Sequence, residues 1–187
     1  NTLLVPNDYT SIQSAIDNAV DEDTVLVSPG TYNENINFIG KSIVVLASSN
    51  NIEETIIDGG GNDNVVRFEN AETPNTQLIG FTIQNGYSSN KGAGIWISNG
   101  NAGINGTTDI GACPTLKNLI IKNNVCTQSG GGIHIEHSYE SGGGTTLENI
   151  TIKNNTAVNG GGIFIDHDAT VYLNNCTISS NNAGEDG

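Results

Sequence analysis

One octad pattern recurs four times between residues 78 and 180, and that recurrence constrains the fold more than any other feature of the chain. Leu78-Ile79-Gly80-Phe81-Thr82-Ile83-Gln84-Asn85 returns as Leu116-Lys117-Asn118-Leu119-Ile120-Ile121-Lys122-Asn123, as Leu147-Glu148-Asn149-Ile150-Thr151-Ile152-Lys153-Asn154, and as Leu173-Asn174-Asn175-Cys176-Thr177-Ile178-Ser179-Ser180. The first, fourth and sixth positions are apolar each time. A second unit follows the first three octads: Gly92-Ala93-Gly94-Ile95-Trp96-Ile97, Gly130-Gly131-Gly132-Ile133-His134-Ile135 and Gly160-Gly161-Gly162-Ile163-Phe164-Ile165. A short repeat cannot bury its own apolar face, so tandem copies imply stacking into a solenoid.

The intervals between Ile83, Ile121, Ile152 and Ile178 are 38, 31 and 26 residues. The excess falls after each Ile-x-Ile unit, which predicts two insertions, residues 98–115 and 136–146. A leucine-rich repeat would return through a helix, whereas here the return is another strand. Several short strands per coil with no return helix predict an all-β fold, a right-handed parallel β-helix. Within it Ile83, Ile121, Ile152 and Ile178 should stack inside, as should Ile95, Ile133 and Ile163. Asn85, Asn123 and Asn154 recur at a turn, where their amides are expected to bond coil to coil.

The N-terminal stretch is different. Ile12, Ala15, Ile16 and Ala19 lie at helical spacing, with Thr10 or Ser11 as the cap, and predict a short helix closing the open end of the solenoid. Strands follow at Thr24–Ser28, ending in a Pro29-Gly30 turn, and then at Asn35–Phe38, Ser42–Leu46 and Thr55–Asp58. The expected organisation is one domain, a cap over residues 1–34 and coils over 35–187. Residues 181–187 match 154–160 on this reading, so the array is expected to continue past Gly187 into further repeats or domains.

The chain of 187 residues carries 20 acidic against 6 basic side chains, a formal net charge of −14. Such a surface repels phosphate backbones and argues against a nucleic-acid partner. No apolar run reaches the ~18 residues of a membrane span, so no membrane insertion is expected. Cys113, Cys126 and Cys176 fit no metal spacing; Cys113 and Cys126 could close a short disulfide, with two thiols as the alternative. No cofactor is required. Asp58-Gly59-Gly60-Gly61-Asn62-Asp63 has the composition, without the spacing, of a calcium loop, and leaves a structural calcium ion open against an ordinary turn.

A resemblance can now be stated. Val5-Pro6-x-x-Tyr9-x-x-Ile12-Gln13-x-Ala15-Ile16-x-x-Ala19, followed by Asp23-Thr24-Val25-x-Val27-x-Pro29-Gly30-Thr31-Tyr32-x-Glu34-Asn35-Ile36, resembles the N-terminus of the pectin-lyase-like β-helix superfamily, including its pectinesterase branch. The Asn-Asn and Gly-Gly-Gly-Ile units resemble repeats of secreted bacterial surface proteins of that fold. The resemblance implies the fold and a secreted or cell-surface location. It leaves function open, because this fold hosts lyases, hydrolases, esterases and adhesins. Pectinesterases use two aspartates, an arginine and a Gln-Asp motif. This chain has one arginine, Arg67, and no Gln-Asp pair, so esterase chemistry does not carry over. Arg67 alternates with Val66 and Phe68 and is expected to be an outward, solvated charge.

The candidate site lies after the glycine corners. With the isoleucines inward, Trp96, His134 and Phe164 should face outward on adjacent coils, beside Glu136 and Asp166 and near His137 and His167. An aromatic track flanked by carboxylates suits a glycan or cell-surface polysaccharide. In the alternative, the insertions fold over these aromatics and bury them. A metal held by His137 and His167 with Asp166 or Asp168 is disfavoured, because such positions diverge on a flat ladder. The function read from the sequence is a non-catalytic secreted or cell-surface β-helix for adhesion, display or carbohydrate binding. The alternatives are a polysaccharide lyase or glycoside hydrolase in a groove beside Glu136 and Asp166, and a purely architectural stalk.

Overall fold

The computed structural model describes residues 1–98, 111–136, 143–167 and 169–186. Successive coils run as follows. β1 (Thr2–Val5) and helix α1 (Ile12–Asn18) form the cap. β2 (Thr24–Val27), β3 (Gly30–Asn33) and β4 (Ile36–Asn37) make the first coil, and β5 (Val44–Ala47), β6 (Thr55–Asp58) and β7 (Val66–Phe68) the second. The third contains β8 (Gln77–Ile79), β9 (Thr82–Gln84), β10 (Tyr87–Ser88) and β11 (Ile95–Ile97). β12 (Thr115–Lys122), β13 (Val125–Cys126) and β14 (Ile133–Ile135) form the fourth. The fifth is β15 (Thr145–Lys153), β16 (Thr156–Asn159) and β17 (Ile163–Ile165); the sixth is β18 (Val171–Asn174), β19 (Thr177–Ser179) and β20 (Asn182–Asp186).

These strands build three parallel sheets of eleven, four and five strands. The fold is the right-handed parallel β-helix expected from the repeats. Register places Ile83, Ile121, Ile152 and Ile178 in one ladder and Ile95, Ile133 and Ile163 in another. A third ladder runs Val25, Val45, Leu78, Leu116, Leu147. These ladders are fully buried through Ile152, Ile133 and Leu147, and Phe38 stacks on Phe68 with ring centroids 4.4 Å apart. The last coil is more open, with Leu173 51% and Ile178 50% exposed.

The triple-glycine corners follow from two separate demands. Gly92, Gly130 and Gly160 take positive φ of 57°, 73° and 57°, a region where a β-carbon is strained. Gly132 has an ordinary φ but no room, since a β-carbon there would lie 2.4 Å from Gly162 O of the next coil.

Helix α1 starts at Ser11, whose Oγ accepts from Ser14 N at 3.1 Å. The Glu34 carboxylate accepts from Ile12 N and Gln13 N, both at 2.9 Å. Lys41 Nζ donates to the carbonyls of Ile16, Asp17 and Ala19. Both ends of the helix are therefore satisfied by side chains from the coil beneath.

Several sequence expectations need correction. β2 does stop at Val27, just before Pro29, but Gly30 is already the first residue of β3, so the break there is brief. Asn181 stacks on Asn155, not Asn154, since Thr177, Ile178 and Ser179 pair with Thr151, Ile152 and Lys153. Asn85, Asn123 and Asn154 all take φ of 56°, and the Asn85 amide bonds Asp58 on the coil before it; the later coils are joined instead by Asn124, Asn155 and Asn181, and by an exposed row of Asn118, Asn149 and Asn175. No disulfide links Cys113 to Cys126; Cys126 Sγ instead donates to Asn90 O. Most of the two insertions, residues 99–110 and 137–142, lies outside the described residues, as do His137 and Asp168.

Candidate functional site

The five-stranded sheet carries a continuous outer row. In β11 and β14 the flanking isoleucines are buried in the core, so the middle residue leaves on the other face. Register places Asn37, Arg67, Trp96, His134 and Phe164 side by side on successive coils. The expected aromatic neighbours are therefore adjacent, and the His134 and Phe164 rings stack with centroids 5.0 Å apart and planes at 16°.

The row is not uniformly open. His134 is only 1% exposed, while Trp96 and Phe164 are half-buried. His134 Nδ1 lies 3.1 Å from Ser129 Oγ, and Nε2 lies 4.0 Å from Glu136 Oε1. Burial holds the imidazole pKa below its ordinary value, against the opposing pull of the Glu136 carboxylate. His134 is thus a buried neutral ring that offers no open face to a ligand.

Glu136 is also buried. It pairs with Lys91 Nζ and accepts from Ser98 Oγ at 3.1 Å. Asp166 is half-buried, and its Oδ1 accepts from His167 N and faces His167 Nδ1, each at 2.9 Å. The His167 hydrogen bond holds the Asp166 carboxyl below the usual range. The His167 side chain is 83% exposed. Glu136 and Asp166 are therefore engaged with different partners.

The open part of the face lies toward the second and third coils. A cleft of about 410 Å³ is lined by Asp63, Asn64, Arg67, Tyr87, Ser88, Ser89, Asn90, Lys91 and Trp96. Of the sequence-predicted site residues that are described, Trp96 alone is in that lining. Its size falls in the ~300–1,000 Å³ range of small-ligand pockets. The cleft wall is fixed from within: Asn64 Nδ2 donates to Lys91 O and Gly92 O, and Ser88 Oγ donates to Lys91 O at 2.9 Å while accepting from Asn90 N and Lys91 N. Arg67 Nη1 lies 3.4 Å from Asp63 Oδ2, and only 29% of the Arg67 side chain is exposed. Its Nε and the Trp96 Nε1 are buried without an acceptor. Arg67 does point outward, but it is a cleft wall rather than the solvated charge its alternation suggested.

Sequence reasoning missed Lys91 and Tyr87, placed Asp63 only in a candidate calcium loop, and undervalued Arg67. One signal was present: Val66-Arg67-Phe68 has the same inward-outward-inward form as Ile95-Trp96-Ile97, which places Arg67 beside Trp96 once the coils are stacked.

The calcium option has its own geometric test. Asp58 accepts from Gly60 N, Gln84 Nε2 and Asn85 Nδ2, and Asp63 from Asn64 N, besides its pairing with Arg67. Burial raises the Asp58 carboxyl, but those hydrogen bonds prevail and hold it below its ordinary value. Oxygens already satisfied by N–H donors make a poor cation cage. No cluster of three or more His, Cys, Asp or Glu suited to a metal occurs among the described residues. No helix among them is long and apolar enough to cross a membrane.

No protein-family model matches the chain, and no curated protein matches it. Solved structures do. One is a mannuronic-acid-specific polysaccharide family 6 lyase from the human gut microbiota, at 16% identity and TM-score 0.49, covering 96% of this chain and 51% of the lyase. Another is the rice weevil pectin methylesterase, at 11% identity and TM-score 0.49, covering 96% of this chain and 64% of the enzyme. The Aspergillus niger pectin methylesterase has 14% identity and TM-score 0.43, covering 98% and 86%. The chain thus spans about half the length of the lyase and under two thirds of the weevil enzyme. At these identities and TM-scores the likeness carries no argument about this chain's function.

Proposed function

We propose that this chain is a secreted or cell-surface β-helix that binds carbohydrate without cleaving it, with the saccharide lying in the cleft against Trp96. The observation that carries this reading is the cleft itself: a half-buried indole and an exposed phenol, Tyr87, among Ser, Asn and charged groups on a wall already braced by Asn64 and Ser88. Sugar rings stack their C–H faces on aromatics and bond their hydroxyls to such groups, and a preformed wall lowers the ordering cost of binding. The engagement of Glu136 with Lys91 and Ser98, and of Asp166 with His167, supports binding over hydrolysis by that pair. Paired acids for glycoside hydrolysis need two available carboxyls about 5 to 9 Å apart.

The architectural reading has one observation in its favour, the burial of His134 and its stacking on Phe164, which make that part of the row a packed layer. A glycan array probed with this chain and its Trp96→Ala form separates the two. Binding is expected for the parent and lost in the variant, with both giving the same far-ultraviolet circular dichroism. Failure of the parent to bind any glycan would remove the carbohydrate reading and leave the architectural one.

A further inference from the structure

We infer that the cleft beside Trp96 takes a neutral saccharide rather than a uronic-acid or sulfated one, an inference that rests on the carbohydrate reading above. It follows from a charge count at the cleft. The chain has 6 basic residues, and Arg67 and Lys91 both line this cleft. Two cations beside two aromatic rings would ordinarily suggest an acidic sugar.

Each cation already faces a carboxylate of the protein. Lys91 Nζ is paired with Glu136, whose side chain is 7% exposed. Drawing the ammonium toward a ligand would leave that carboxylate buried without its counter-ion, so the pair holds. Arg67 Nη1 faces Asp63, whose side chain is 55% exposed and itself lines the cleft. An incoming carboxylate or sulfate at the guanidinium would meet the Asp63 charge at the same place. Among the described residues, two positive and two negative groups leave the cleft locally neutral, within a molecule of net charge −14. At physiological salt the field of that excess is screened over about 8 Å, so it still opposes a polyanion at close approach.

What remains for recognition is uncharged. Tyr87, Ser89 and Asn90 are exposed and offer a phenol, a hydroxyl and an amide, while Trp96 supplies an aromatic face. These groups both donate to and accept from sugar hydroxyls. Stacking on Tyr87 and Trp96 depends on C–H faces and needs no charge on the sugar.

The test is isothermal titration of the full chain with two sets of oligosaccharides, at low and at high sodium chloride. The neutral set is gluco-, xylo- and manno-oligosaccharides. The acidic set is oligogalacturonate, oligomannuronate and a sulfated oligosaccharide. The expected result is binding within the neutral set, lost in Tyr87→Ala and in Trp96→Ala, and changed by less than about twofold between the two salt conditions. An acidic oligosaccharide that binds more tightly than every neutral one, and weakens as salt rises, would overturn the inference while leaving the carbohydrate reading intact. Binding of neither set would remove the reading itself. Neutral binding unaffected by both substitutions would overturn the assignment to this cleft. Tyr87 is exposed and contributes nothing to the core, so its variant keeps the test decisive even if Trp96→Ala fails to fold.

Discussion

Position 134 shows how one residue can sit on the outer face of a strand and still be buried. Strand alternation sends His134 away from the core, yet it is 1% exposed, and Lys91, Glu136 and Asp166 all act on its ring electrostatically. Desolvation holds its pKa below the ~6.5 of an unfolded chain. In the window between these values the unfolded chain binds the extra proton and the folded one does not. Stability contributed by the neutral ring is therefore full above the unfolded pKa and falls as pH drops toward the folded one. His134→Phe places at this position the residue found one coil later at Phe164. It is expected to reduce the loss of stability on going from about pH 7 to about pH 5, read as urea midpoints at each pH. An equal loss in both proteins would exclude His134 as the source. The sequence left the burial of His134 open, as an alternative to an outward aromatic track, and did not show its pKa shift, because both depend on what lies over the strand.

At the scale of an element, the asparagine row of the fourth to sixth coils is a device for fixing coil spacing. Asn155 Oδ1 accepts from Asn124 N and Asn124 Nδ2 at 3.0 and 2.9 Å, and Asn155 Nδ2 donates to Ile121 O and Asn181 Oδ1, both at 3.0 Å. Asn124 and Asn155 are fully buried. Asn155→Ala leaves at least two buried partners unsatisfied, at about 1–3 kcal/mol each, and is expected to cost roughly 2–4 kcal/mol in denaturant unfolding. A cost below about 1 kcal/mol would show that water replaces the amide. Asn-Asn dipeptides were visible in the sequence, but Asn123 and Asn154 were assigned the bonding. In the fourth and fifth coils these supply the left-handed turn while Asn124 and Asn155 point inward between coils; in the sixth, Ser180 takes the turn and Asn181 the inward place. Periodicity alone cannot distinguish them. The cap was more legible. Helical spacing placed α1 within Tyr9–Val20 and offered Thr10 or Ser11 as its cap, whereas Glu34 and Lys41, 21 residues or more along the chain from the groups they bind, were not foreseeable.

Across the whole molecule, each coil contacts chiefly its neighbours, so stability is close to a sum of coil and interface contributions. Val45, Leu78, Leu116 and Leu147 are sandwiched and fully buried, whereas Tyr172, Leu173 and Ile178 of the sixth coil are 58%, 51% and 50% exposed. Amide hydrogen exchange is expected to be slowest in β8, β9 and β12 and fastest, among strand residues, in β18 and β19. Uniform protection along the axis would mean that the solenoid opens only as one unit.

The sequence by itself determined the architecture. Its apolar residues recur once per coil at matching positions, and only stacked parallel strands bury them together, so the fold, the inward isoleucine ladders and the adjacency of Trp96, His134 and Phe164 could all be read from it. The tertiary structure decided which of those outward residues meet solvent. It buried His134, engaged Glu136 with Lys91 and Asp166 with His167, and opened the cleft where Arg67, Tyr87 and Lys91 meet Trp96. The physical reason is that alternation fixes only the face on which a side chain leaves the strand. What that side chain then touches is set by segments up to 45 residues away along the chain, as between Lys91 and Glu136.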